Sequence, residues 1–271
     1  MPSYRITGLK AAIDGLHCLK KFQVMLRNSE TVAACSASDG AVLRGKGNKD
    51  WGGVAVGYGL PAKYPGDVFT YTGSDRNGQG WQSEADGAIV SKVAIVCPTT
   101  SGRFIQHQLW FEATGSLAKG SYAATDAAIP NPLPSAGLAF HAGGTQRYGV
   151  DGWQFTIEGN LTPPKYPSHM EGWPVRDAGN IDAVISWAQT FDAMNQILEV
   201  NDFYVFQLYT SATQFYEVQW GQYAQIQADY DIEGEGGRAK YIEHNSAAKF
   251  SGYNNGVKGK ILKPGGAAYW P

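Results

Sequence analysis

The chain is short of charge. Aspartate, glutamate, lysine and arginine make up 17% of its 271 residues and the net charge is −2, whereas roughly a quarter is usual in soluble domains. The longest basic run is Lys20-Lys21, which excludes a surface that grips nucleic acid through its phosphates. Cysteine is scarce and odd in number. Cys18, Cys35 and Cys97 lack metal-ligand spacing, which predicts free thiols in a reducing compartment. No run of about 18 apolar residues occurs, so no membrane helix and no membrane partner are expected. The stretch from Met1 to Leu16 has no continuous apolar segment, so no secretory signal is expected.

Catalytic signatures are missing as well. His17, His107, His141, His169 and His244 lie far apart, and neither HExxH nor G-x-S-x-G occurs. Gly40–Lys46 has the opening of a phosphate-binding loop. However, Gly47 stands where Ser or Thr would ligate magnesium, and no helix pattern follows. Asp229, Asp231 and Glu233 imitate the start of a calcium loop, yet Lys240 takes the place of the bidentate glutamate. With Glu235 the same carboxylates could form a glycosidase pair, but an amphipathic strand accounts for them without catalysis. The expectation is a protein that is not an enzyme and holds no cofactor or metal.

Aromatic residues reach 13% and glycines number 34, which favours a turn-rich all-β protein whose surface is partly covered by neighbours. The clearest pattern spans Gln214–Glu235. Tyr216, Val218, Trp220, Ala224, Ile226, Ala228, Tyr230 and Ile232 alternate with Glu217, Gln219, Gln225, Gln227, Asp229, Asp231 and Glu233. Unbroken, such a strand would run roughly 60 Å. It is expected to bend or turn near Trp220–Gln222, or to run past its own domain.

The chain also repeats itself. Gly47-Asn48-Lys49-Asp50 resembles Gly179-Asn180-Ile181-Asp182 at an offset of 132, and Asp67 matches Asp202 at 135. Gly102-Arg103 matches Gly237-Arg238 at 135, and His107 and Gly115 match His244 and Gly252 at 137. Four matches in one order predict a tandem duplication. The expected layout is a first β-domain at 1–125, a Pro/Gly-rich linker at 126–148 containing Pro130–Gly137, and a second β-domain at 149–271. A short helix or turn is expected near Ala11–Leu16, a strand near Lys20–Arg27, a helix at Thr190–Leu198, and return strands at Phe104–Thr114 and Ala239–Ser251. Long loops are expected at Cys35–Asp50 and Leu161–Ala178. Tyr166, Met170 and Trp173 on the second loop are candidates for burial under another subunit. The aromatic tail ending Ala-Tyr-Trp-Pro is expected to dock rather than fray.

The run of strand, tight turn, long strand, Gly-Arg turn and return strand over Val68–Gly115, and again over Phe203–Gly252, resembles the distal half of phage tail tube proteins. Gly47–Ser74 is similar to the strand that follows their long loop. The resemblance implies two tandem tail-tube-like β-sandwich or barrel domains, each with a long loop and at most one short helix. It implies a virion protein, assembled in the host cytoplasm, that forms rings around a DNA-conducting channel. Three such two-domain copies would make a pseudo-hexameric ring, with other virion proteins as further partners and DNA in transient, non-specific passage. A capsid decoration or tail-tip protein, and a carbohydrate-binding β-sandwich, are the alternatives. In the repeat, Asp229, Asp231 and Glu233 match Ala94, Val96 and Pro98, so the acidic face belongs to one domain. Glu217, Gln219, Gln225, Gln227, Asp229, Asp231 and Glu233 are the candidates for a channel wall that DNA passes without sticking.

Overall fold

A computed structural model gives the fold. It describes residues 10–13, 19–34, 42–74, 77–98, 104–122, 140–142, 145–147, 150–167, 172–191, 205–210, 213–219, 225–235, 238–251, 253–254, 257–258 and 260–265. The described residues are all-β, without a helix. In chain order the strands are β1 (Lys10–Ile13), β2 (Leu19–Ala34), β3 (Val42–Tyr58), β4 (Val68–Phe69), β5 (Tyr71–Ser74), β6 (Gln79–Ser83), β7 (Ala88–Pro98), β8 (Gln106–Ala113), β9 (Leu117–Ser121) and β10 (Phe140–Ala142). They continue as β11 (Thr145–Arg147), β12 (Val150–Gly159), β13 (Ile181–Phe191), β14 (Val205–Tyr209), β15 (Phe215–Gln219), β16 (Gln225–Glu235), β17 (Arg238–Ser251), β18 (Tyr253–Asn254), β19 (Val257–Lys258) and β20 (Lys260–Leu262).

One large antiparallel sheet takes strands from both ends of the chain, in the order β16-β17-β13-β12-β7-β8-β3-β2, with β4 pairing the start of β7. Two smaller sheets have the orders β1-β5-β6-β9 and β11-β10-β14-β15-β20. The strand order repeats. In the large sheet β7-β8-β3-β2 and β16-β17-β13-β12 run alike, and in the small sheets so do β1-β5-β6-β9 and β10-β14-β15-β20. One row of partners makes the comparison quantitative. Phe22, Ala55, Leu109 and Val93 stand opposite one another across the first four strands, as Trp153, Trp187, Ser246 and Ala228 do across the second four. Subtracting residue numbers along that row gives 131, 132, 137 and 135, close to the offsets of the repeated motifs.

The core lies between the large sheet and the two small ones, because alternation gives each strand one apolar face to bury. On β8 the pattern is strict: His107, Leu109, Phe111 and Ala113 are buried while Gln106, Gln108, Trp110 and Glu112 are half-exposed. Trp51 and Phe111 of the large sheet meet Tyr71 of the first small sheet, at centroid distances of 5.7 and 6.2 Å. Phe155 meets Tyr216, and Trp187 meets Phe206, of the second small sheet at 5.6 and 5.4 Å. The Tyr64 and Tyr216 hydroxyls share a buried hydrogen bond of 3.0 Å across the two halves. Gly53 is required where it stands, since a Cβ there would fall against the Gln23 carbonyl and the Phe111 ring.

Several expectations change. The helix or turn expected near Ala11–Leu16 begins instead as β1, paired with β5. The loop expected over Cys35–Asp50 is strand from Val42 onward, opposite Asn28–Ala34. Its Ser, Gly and Lys content misleads because this part of the hairpin is held by backbone pairing and need not alternate. Gly40–Lys46 is therefore no phosphate loop, since Val42–Lys46 belong to β3. Of the helix expected at Thr190–Leu198, Thr190 and Phe191 end β13, and the rest lies outside the described residues. So do Pro130–Gly137 and the terminal Ala-Tyr-Trp-Pro. The return strands are present as β8 and β17.

His107 supplies a test of this core. It is 2% exposed, its Nδ1 lies 3.0 Å from the Gly59 carbonyl, and Nε2 meets no partner among the described residues. Burial lowers its pKa below 6.5 despite the bond to Gly59. Below pH 6.5 the unfolded chain therefore binds the proton first, and stability drops as the pH is lowered, by at most ~1.4 kcal/mol per unit for this one group. Burial also pushes the Cys97 thiol from 9.0, and the Tyr71 hydroxyl from 10.0, up to about 12. That stability is complete below pH 9 and is lost above it. Melting temperature is expected to be flat between pH 7 and 9 and to drop on both sides. His107→Gln, which can still donate to Gly59, should flatten the limb between pH 6.5 and 5; an unchanged limb excludes His107 as its source.

Candidate assembly interface

Two long edges bound the large sheet. Among the described residues β2, 16 residues long, pairs only with β3, and β16, 11 residues long, only with β17. On β2, Lys21, Gln23, Met25, Leu26, Arg27 and Asn28 are exposed, Leu26 by 51%. A long edge carrying exposed apolar side chains is a template for pairing with another chain.

The chain contains one such pairing already made. β12 lies against β7 over seven residue pairs, from Gly152 opposite Pro98 to Glu158 opposite Lys92. On the core side Trp153, Phe155 and Ile157 stand opposite Cys97, Ile95 and Val93, all of them buried. On the other side Lys92 Nζ sits 3.3 Å from Glu158 Oε2 and 5.5 Å from the Trp110 ring centre. This seam joins the two runs of four strands into one sheet.

A second contact locks the seam. The described parts of the segment 161–178, residues 161–167 and 172–178, are pinned rather than open. Lys165 and Val175 exchange backbone bonds of 3.0 and 2.7 Å, and the Lys49 N–H donates to the Gly172 carbonyl at 3.3 Å. Arg176 is buried and clasps Asp50 with two parallel bonds, Nη2 to Oδ2 at 2.7 Å and Nη1 to Oδ1 at 3.1 Å. It also donates to the Ala113 carbonyl. Thr114 Oγ1 accepts the Arg176 N–H and donates to the Arg176 carbonyl, each at 3.1 Å. Bidentate, charge-assisted bonds of this kind fix geometry as well as adding energy. They hold the segment after β12 on the far strands, β8 and β3, of the other four-stranded run.

The sequence-predicted residues fall in three places. Glu217 and Gln219 are half-buried on β15 in a small sheet. There Glu217 accepts bonds from Gln207 and Gln219 at 2.8 Å each. Gln225, Gln227, Asp229, Asp231 and Glu233 are on β16 at the edge of the large sheet. The stretch Gln214–Glu235 therefore divides between two sheets. Strand register sets Gln225 in one row with Lys249, Val184, Thr156, Ala94, Gln108, Val56 and Lys21, which crosses all eight strands. Where its side chains are described, the face away from the core is mostly uncharged: Gln23, Val54, Val56, Gln106, Gln108, Gln154, Thr156, Val184 and Ser186 are half-exposed or exposed. Of the candidate loop residues, Trp173 packs on the chain's own core with Lys49 Nζ 5.8 Å from its ring centre. Tyr166 is half-buried, and Met170 lies outside the described residues. Among the described residues no three of His, Cys, Asp and Glu gather as a metal site.

No protein-family model and no curated protein matches the chain.

Arg176 and Asp50 escape the sequence reading. The signal for them lies just upstream of the G-N-x-D match: Arg44 and Arg176 each precede it by three positions, giving R-x-x-G-N-x-D twice.

The Arg176–Asp50 pair is 8% and 15% exposed, whereas the Lys165–Asp177 pair of the same segment is 72% and 65% exposed. Arg176→Ala removes both clasp bonds, leaves Asp50 with the Trp51 N–H at 2.8 Å and Arg27 at 3.8 Å, and is expected to cost ~2–3 kcal/mol in urea unfolding. Lys165→Ala should cost less than ~1 kcal/mol. Equal costs would show that the clasp is not what holds the segment.

Proposed function

We propose that the chain is a structural subunit that pairs with copies of itself, edge to edge, into a ring of the kind phage tail tubes stack. The observation that carries the reading is the β12–β7 seam. If the chain is a duplication, as the repeated strand order supports, β2 is the counterpart of β12 and β16 is the counterpart of β7. The free edges of one molecule are then the two halves of a seam it has already built internally. Such a head-to-tail interface repeats until it closes.

Carrying the seam's register to the free edges sets Lys21 opposite Glu233, Gln23 opposite Asp231, Met25 opposite Asp229 and Arg27 opposite Gln227 of the next copy. On the core side it sets Phe22, Val24 and Leu26 opposite Ile232, Tyr230 and Ala228. Lys21 thus meets Glu233 directly, Arg27, which also bonds Glu112 of its own chain at 3.2 Å, stands diagonal to Asp229, and apolar residues meet apolar ones. Asp229, Asp231 and Glu233 then serve the junction between copies. The channel wall is the face bearing Gln108, Gln154 and Thr156, whose low charge suits DNA that must slide. Three copies would contribute six runs of four strands, the pseudo-hexameric arrangement. A decoration or tail-tip protein using the same edges would close the same ring without stacking.

Sedimentation and negative-stain imaging test this reading. The chain is expected to form rings or tubes that weaken as salt rises. Lys21→Glu combined with Gln23→Glu sets like charges against Glu233 and Asp231 and should leave monomers that melt normally. A wild-type chain that stays monomeric at every concentration would sink the proposal.

A further inference from the structure

We propose that Arg44 clasps Asp182 of a second copy of this chain, repeating between molecules the Arg176–Asp50 clasp made within one. The inference rests on the edge-to-edge reading above and adds the residues that lock it.

Three observations converge on this pair. The motif R-x-x-G-N-x-D stands at Arg44, Gly47, Asn48 and Asp50, and again, without change of internal spacing, at Arg176, Gly179, Asn180 and Asp182. The backbone around the two arginines has the same register. Ala33 stands opposite Leu43, and Lys165 opposite Val175, so both members of the second pair follow the first by the offset that separates the two arginines. The receiving positions also correspond. The β3–β8 register ends with Gly52 opposite Glu112; Asp50 comes two residues before Gly52, and Thr114, the hydroxyl that holds the Arg176 backbone, two residues after Glu112. In the second run Asp182 stands opposite Ser251, another hydroxyl.

Topology then dictates which carboxylate each arginine meets. Arg176 does not bond Asp182 of its own motif. It crosses the seam to Asp50 of the neighbouring run, because the segment after β12 reaches the end of β8 and the Lys49–Asp50 stretch of β3. Arg44 follows β2 as Arg176 follows β12. Its own run lies behind it, and the run ahead of the β2 edge belongs to another molecule. The carboxylate at the corresponding place there is Asp182, which is half-buried and accepts a bond from Asn160 Nδ2 at 3.2 Å. The pair would act as a latch. Edge pairing alone leaves strands free to slip by two positions, and a bidentate contact at a fixed distance from the edge selects one register.

The test is charge reversal on the full chain, read by sedimentation across a concentration series. Arg44→Asp and Asp182→Arg are each expected to weaken self-association at least about tenfold, as loss of a shielded interfacial charge pair does. The double variant, which faces Asp with Arg again, should recover most of it. Single variants that assemble like the wild type, or a double variant no better than the singles, would overturn the clasp while leaving the ring reading intact. A wild type that never assembles overturns both. Should a reversal unfold the chain, Arg44→Cys and Asp182→Cys on differently sized tagged chains, with the native cysteines replaced by Ala, serve instead. A disulfide between the two chains on mixing supports the contact, and its absence in mixtures that assemble overturns it.

Discussion

The constraint on which the structure turns is that a sheet edge must be paired, covered or spoiled. β12 satisfies it by lying against β7 over seven residue pairs, and most of the core follows from that alignment. Trp153, Phe155 and Ile157 are buried because β7 brings Cys97, Ile95 and Val93 beside them. The small sheets then close over the joined surface, and the hydrogen bond between Tyr64 and Tyr216 ties one half of the chain to the other through that core. Arg176 sets the alignment at a distance, since its clasp on Asp50 would be lost if β12 slipped along β7.

Much of this is legible in the sequence where burial enforces period 2. The return strand β8 alternates without fault, and Gly152–Glu158 is recognisable as strand because one face of it must be apolar. The slow upward drift of the offset between repeated motifs reappears in the register of the large sheet, strand by strand. What the sequence hides is structure that no core dictates. The outer half of the β2–β3 hairpin, Thr31–Ala34 with Val42–Gly45, has loop-like composition and is strand all the same. Its hydrogen bonds run backbone to backbone, and composition does not report them.

The candidate site was legible only in part, for a different reason. Alternation continues through Gln214–Glu235 without a phase slip, so nothing in the period reveals that β15 and β16 belong to different sheets. Periodicity records which face of a strand is buried, not against what. Glu217 and Gln219 consequently share a pattern with Asp229 and Asp231 but not a surface. Arg176 is invisible to the same method because it acts from an irregular segment, where its neighbours follow no period. A residue of that kind is found by its spacing from a repeated motif or not at all.

The acidic run on β16 shows what the register adds to the pattern. A negatively charged channel wall and a charged interface make the same demand on one strand, a polar face rich in Asp and Glu, and differ only in what stands opposite. Its counterpart β7 carries Ala94, Val96 and Pro98 at the matching positions, and there the opposing strand β12 offers Thr156, Gln154 and Gly152, none of them charged. β2, the strand proposed to meet β16, is the counterpart of β12 and carries Lys21 and Arg27. The proposed external seam thus sets three carboxylates of β16 against a strand with Lys21 facing one of them and Arg27 flanking another, whereas the internal seam carries the single Lys92–Glu158 pair. That asymmetry is what the two junctions require. A covalently joined pair of runs finds its register by proximity, whereas separate molecules must find one another in solution, and complementary charge on a β-edge both attracts the right partner and penalises a slipped one.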